Sequence, residues 1–149
     1  MILRFTDEGL LPPGIHETDL GELEEKMGWS RKRQGLFETL EEALGLMATC
    51  GVIRVHLDGS FVTDKDRPND VDGCCDLAED VSAEDLERLT PIFPPNLSNR
   101  AEAKRRFRVD LFPAAATELG SGQPFLLFFQ TDHEGRERGV LSVKLRARR

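Results

Sequence analysis

The stretch that decides the reading runs from Val52 to Leu77, VIRVHLDGSFVTDKDRPNDVDGCCDL. It opens with a β-branched apolar run, Val52 to Leu57, which reads as a strand. Gly59-Ser60 then makes a turn, a polar loop follows, and Asp70 to Leu77 reads as a second strand. On a strand, residues two apart project to one face, so Asp70 and Asp72 present two carboxylates side by side. Like charges at that spacing repel, and one must protonate unless a cation neutralises them. A divalent cation is the natural partner. Mg²⁺ prefers oxygen donors and is held by one or two carboxylates together with substrate phosphates, and Mn²⁺ suits the same oxygens.

A two-ion site calls for a third acid. Asp110 supplies a candidate inside FRVDLF, Phe107 to Phe112, where Val109 and Leu111 point to the opposite face of a third strand. An acid within an apolar β-like run needs a reason, because burying an unpaired charge is costly. Metal ligation is one reason, and pairing with Arg108 or Lys104 is another. At the end of the first strand, Gly59 lets the backbone approach closely, and the Ser60 hydroxyl with nearby backbone N–H groups is suited to phosphate oxygens. The competing reading of the whole stretch is an acidic, solvated surface loop. Two other enzyme motifs fail by position. The haloacid dehalogenase pattern D-x-D-G-T/S would put its nucleophile on His56, and an aspartic protease needs D-T/S-G where Asp58 is followed directly by Gly59.

Outward from this block, the chain reads as mixed α+β. Gly9 to His16 (GLLPPGIH) is a stiff, extended entry. Thr18 is placed to cap a short helix with acids at Asp19, Glu22, Glu24 and Glu25. Ser30 caps a longer one, whose stripe of Leu36, Phe37, Leu40, Ala43, Leu44, Met47 and Ala48 steps at helical spacing to a stop at Gly51. Ser82 opens a helix ended by Pro91, TPIFPPNLSN (90–99) reads as a loop, and Asn99 to Arg106 as a short basic helix. PFLLFF and GVLSVKL form two further buried segments with the turn His133 to Gly139 between them. The 149 residues fit one domain: an N-terminal part (1–51), the motif-bearing core (52–112) and a C-terminal part (113–149).

The composition bounds the function. A net charge of −7 disfavours broad binding to DNA, which depends on neutralising phosphates. A local basic run, Arg100 to Arg108, still offers phosphate or acceptor contacts through Lys104, Arg105 and Arg108. Lys65 and Arg67, in the loop before Asp70, are placed to reach a triphosphate or to decorate Asp64 and Asp66. His16, after a glycine turn, either enters the site or makes a structural hydrogen bond. Trp29 and Phe125 to Phe129 read as packing. The 3 cysteines have no zinc spacing, and adjacent Cys74-Cys75 point to reduced thiols and a cytoplasmic location. No apolar run is long enough for a membrane span, and the N-terminus lacks a signal-peptide layout.

The ordered set of strand, Gly-Ser, D-x-D and a later acid-bearing strand resembles the signature of the DNA polymerase β-like nucleotidyltransferase superfamily. The resemblance covers Val52 to Phe112. It implies that Gly59 and Ser60 contact the triphosphate, that Asp70 and Asp72 bind two Mg²⁺ or Mn²⁺ ions, and that Asp110 ligates the ion that activates the acceptor hydroxyl. It implies transfer of a nucleoside monophosphate from a nucleoside triphosphate, ATP among the candidates, to a hydroxyl of protein, RNA or a small molecule. The chain also looks like a small bacterial and phage-associated group of minimal nucleotidyltransferase-like proteins without an assigned role. Leu11 to His16, Gly59 to Asp72, Asp110 to Pro113, Phe128 to Gln130 and Arg138 to Val140 carry that second likeness. The alternative to an enzyme is a silent nucleotide- or partner-binding module, such as one half of a toxin–antitoxin or phage-defence pair.

Overall fold

The computed structural model describes residues 4–92 and 97–145. Five strands form one mixed sheet in the order β1-β5-β2-β3-β4. They are β1 (Gly14–Thr18), β2 (Val52–Asp58), β3 (Val71–Leu77), β4 (Val109–Pro113) and β5 (Gly139–Lys144). The two outer pairings, β1 with β5 and β3 with β4, are parallel, and the inner ones are antiparallel. The helices are α1 (Leu20–Met27), α2 (Arg31–Thr49), α3 (Ala83–Arg88), α4 (Leu97–Phe107) and the one-turn α5 (Phe125–Phe128). The architecture is α+β.

Strand alternation sorts the side chains into two unlike faces. Val55, Leu57, Val71, Cys75, Val109, Leu111, Leu141 and Val143 face the helices and join Leu36, Leu40, Leu44 and Met47 of α2 in the main core. These are the positions of the apolar stripe expected for α2. The opposite face carries Asp58, Asp72 and Asp110 at one end, then His56, Cys74, Phe112, Val140 and Ser142. A smaller cluster of Cys74, Ala114, Phe129 and Val140 covers the middle of that face.

Several local expectations are corrected. The cap of α1 is Asp19, whose carboxylate accepts from the Glu22 N–H at 2.8 Å, and not Thr18. Thr18 ends β1, and its hydroxyl donates to Glu22 Oε1. The extended entry contains β1 itself, an edge strand beside β5. Phe107 closes α4 rather than opening a strand. The segment Phe125–Phe128 is a helical turn with no buried residue, and only the following Phe129 is buried. The helix expected from Asn99 begins earlier, at Leu97, so the loop expected over 90–99 is shorter at that end, and its residues 93–96 lie outside the described residues. Ser30 caps α2 as expected, accepting from the Arg33 N–H, and Gly51 (φ +87°) takes the left-handed conformation just past its end.

Candidate active site: a row of aspartates beside a clamped turn

Three neighbouring strands bring three aspartates into line. Asp58 of β2 pairs in register with Asp72 of β3, and Asp72 with Asp110 of β4. Residues directly opposite in a sheet share a face and lie about 5 Å apart at Cα, so the row is a short acidic ridge. Asp70, one residue before β3, adds a fourth carboxylate at its end. The crowding shows in Asp72. Burial, followed by the charges of Asp70, Asp110 and Asp58, pushes its pKa up from 3.8 to about 7, with Lys104 pulling the other way. Among the described residues no hydrogen bond or ion pair reaches the carboxylate of Asp70 or Asp72.

Gly59 explains how the row meets the turn. It has φ +76°, and a Cβ built there would sit 2.2 Å from Asp72 Oδ2. Any side chain would therefore displace that carboxylate. The turn beyond it, Ser60–Val62, is a single 3₁₀ turn. Its shape is held by Arg33 of α2, which is fully buried. The Arg33 guanidinium donates to the carbonyls of Phe61 (2.6 Å), Thr63 (2.6 Å), Lys65 (2.7 Å), Ser60 (3.3 Å) and Met27 (3.1 Å). The Trp29 ring lies 3.6 Å beneath it. Burial lowers the Arg33 pKa to about 10, against the pull of Asp64 and Asp66. Trp29 thus packs on a cation, with its ring 45% exposed.

The other two acids of the row have basic partners. Asp110 receives two hydrogen bonds from Arg100, Nε to Oδ1 at 3.0 Å and Nη2 to Oδ2 at 2.8 Å, and Lys104 Nζ lies 3.5 Å from Oδ2. Asp58 is fully buried and takes a hydrogen bond from Arg138 Nη2 at 2.8 Å, while among the described residues no geometric hydrogen bond reaches its Oδ1. Burial outweighs the attraction of Arg138 and raises its pKa to about 7. Arg138 also donates to the Phe129 carbonyl, tying the segment after α5 to the row.

The structure brings Asp70, Asp72, Asp110, Gly59, Ser60 and Lys104 together and leaves other candidates outside. His16 lies on the far-edge strand and pairs with Leu141, on the helix side of the sheet. Its ring contacts the Pro12 carbonyl at 2.6 Å, which is the structural alternative. Arg105 is ion-paired to Glu102 on the exposed side of α4. Arg108 stands at φ +55° past α4 with its guanidinium toward Gly35, so it does not pair with Asp110. Lys65 and Arg67 are exposed in the loop, and Lys65 takes part through its backbone carbonyl. Arg33, Asp58, Arg100 and Arg138 are the site residues that the sequence reading missed. Arg33 carried a signal, since it falls on the apolar stripe of α2 three residues before Leu36 and four before Phe37.

A divalent cation fits this donor set in chemistry: oxygen ligands only, with two uncompensated carboxylates whose mutual repulsion it would relieve. Among the described residues no group of three or more acidic, His or Cys side chains is already arranged around one point, and Arg100 engages both oxygens of Asp110.

Fold and site together define an α+β protein with an acidic ridge at the edge of an open sheet face. The chain belongs to a family of unknown function, DUF6932, whose model matches residues 3–144. No curated protein and no solved structure matches it. Among the described residues no helix is long and apolar enough to cross a membrane.

Proposed function

We propose that the protein is a metal-dependent nucleotidyltransferase that moves a nucleoside monophosphate from a nucleoside triphosphate to a hydroxyl acceptor. The observation that carries this reading is the register of Asp58, Asp72 and Asp110 across three strands, flush against the Gly59-Ser60 turn. A fold gains nothing from stacking like charges in register, and perturbed carboxylates in a cleft mark working sites. Asp70 and Asp72 would hold a divalent cation, joined by Asp110 once it parts from Arg100. Such a cation neutralises phosphate charge and sharpens the acceptor hydroxyl as a nucleophile.

The residues of this chain supply position. Gly59 and Ser60 face the triphosphate through a turn whose carbonyls are drawn inward by Arg33, which fixes the turn before substrate arrives. In the reaction the acceptor oxygen attacks the α-phosphorus, the bond from that phosphorus to the bridging oxygen breaks, and pyrophosphate leaves with the electron pair. The hydroxyl proton passes to the Asp110 side of the row and on to solvent. Arg100 and Lys104, both beside Asp110, are the cations at hand for phosphate charge.

A second reading, a nucleotide-binding module without turnover, is favoured by the bidentate Arg100 pair on Asp110. One experiment separates the two. Each α-³²P nucleoside triphosphate is incubated with Mg²⁺ or Mn²⁺ and a cell extract, with wild type beside Asp70→Ala and Asp72→Ala. The products are resolved into protein, RNA and small molecules. Label transfer that falls at least about 10³-fold in both variants, with their fold retained by circular dichroism, is the expected outcome. Full activity in the variants removes the mechanism, and nucleotide binding without any transfer leaves the module reading.

A further inference from the structure

We propose that the pocket beside Asp110 seats the acceptor, and that the acceptor is a small alcohol bearing a planar aromatic ring. The inference rests on the nucleotidyl-transfer reading above. A cavity of about 510 Å³ opens on the exposed sheet face, with Asp72 and Asp110 at one end and Phe112, Phe125, Phe128 and Phe129 along its wall. That volume lies within the range of about 300–1,000 Å³ that ligand sites occupy.

The wall is built to meet a flat ring. Phe112 and Phe125 stack at 4.2 Å with an interplanar angle of 6°, and Phe128 stands edge-on to Phe125 at 88°. Phe112, Phe125 and Phe128 are each only half-buried; Phe112 is stacked by Phe125 and carries the Arg100 guanidinium 5.0 Å from its centroid, so the aromatic surface offered to a ligand is that of Phe125 and Phe128. Aromatic faces and edges of this kind favour offset or edge-on contact with another ring. Polar groups around the cavity are mostly engaged already. Arg100 is paired with Asp110 and, on the reading above, is committed to the nucleotide's phosphates once released, and the Glu118 carboxylate accepts from the N–H groups of Gly120 and Ser121. Few groups remain to read a sugar-phosphate chain. The acids at the pocket end and the net charge of −7 oppose a polyanion.

Position assigns the pocket to the acceptor rather than to the nucleotide. In-line displacement puts the attacking hydroxyl opposite the leaving pyrophosphate. With the pyrophosphate at Gly59-Ser60 beyond β2, attack comes from the β4 side, two strands away. The cavity lies on that side, and no residue of the 59–67 turn and loop lines it.

The test is a two-dimensional amide NMR titration of the full chain with 2-phenylethanol, and with 2-cyclohexylethanol as the non-aromatic control, without metal or nucleotide. Saturable shifts confined to Phe112, Thr117, Leu119 and Phe125 to Phe129 are expected. Affinity should be weaker by about fivefold for the cyclohexyl alcohol and for Phe125→Leu and Phe128→Leu, and unchanged in Asp70→Ala. No shifts at the pocket by about 50 mM, or equal binding of the two alcohols, overturns the proposal. So does tighter, Phe125-dependent binding of a tyrosine tripeptide or an RNA trinucleotide at the same amides. Repeating the titration with a saturating nucleoside triphosphate and Mg²⁺ makes the last distinction. Simultaneous binding supports an acceptor pocket, and mutual exclusion reassigns the pocket to the nucleotide. The ring-binding result stands apart from label transfer, so failure of one is not mistaken for failure of the other.

Discussion

The two faces of the sheet obey opposite rules. The face toward α2 is apolar and closed. Leu57, Leu141, Val55 and Val109 have no exposure, and they pack with Val71, Cys75 and Val143 in one core. The other face buries two carboxylates whose pKa values rise to about 7, Asp58 through burial and Asp72 through burial followed by the charges of its neighbours, leaves Asp58 Oδ1 without a partner among the described residues, and keeps an aromatic wall half-open. The first arrangement lowers the free energy of the fold; the second raises it. A sheet that gives up stability on one face only, and at one end of that face, marks where selection acted on something other than folding.

Three substitutions and one metal addition sharpen or break that contrast. Leu57→Ala, on the closed face, should cost about 2–5 kcal/mol through lost burial and a cavity, read from the urea midpoint; a loss below about 1 kcal/mol would show a core looser than its packing. Arg33→Met strips donors from carbonyls at the seam between the faces, and about 3 kcal/mol should be lost. Here the turn at Gly59-Ser60 should also gain proteolytic sensitivity ahead of global unfolding. Asp72→Asn, on the open face, should do the reverse and stabilise. Its carboxyl is held near 7 in the fold against 3.8 when free, so between those values the folded state binds a proton the unfolded state has released. Stability from this group therefore falls as pH rises through that window and stays low above it. The Asn variant should melt about 2–4 °C higher than wild type at pH 8 and no differently at pH 3.5. A lower melting point at pH 8 would mean that a hidden cation already compensates the row. The smallest effect is the rise in wild-type melting temperature with millimolar Mg²⁺ at pH 8, about 1–2 °C and absent in Asp70→Ala.

Much of this was legible before any coordinates. A β-branched apolar run identified β2, alternation identified β4, and helical spacing identified the buried side of α2, because these patterns are local consequences of which face meets the core. Asp70, Asp72 and Asp110 stood out as acids in or beside apolar strands. Asp58 did not, since a polar residue at a strand end before glycine looks like the start of a turn; only register across β2 and β3 puts it in the row. The pairings of Arg100 and Arg138 with the row were not legible for a related reason, although Arg100 opens the basic run and Arg138 the late RGV segment. Arg100 is ten residues from Asp110 and Arg138 is eighty from Asp58, and long-range pairing leaves no periodic trace. At the start of α1 the sequence pointed to Thr18 as the cap, whereas β1 extends through Thr18 and the cap falls on Asp19.

The sheet order has a consequence for how the molecule comes into being. β5, spanning residues 139–144, lies between β1 and β2, whose residues are made long before it. During synthesis β1 has no neighbour to pair with, and one edge of β2 stays bare, until residue 144 has left the ribosome. Such distant pairing makes folding slow and late, and it leaves an apolar strand edge open to other chains in the interval. A ribosome stalled anywhere before the last strand would hold a sheet split in two.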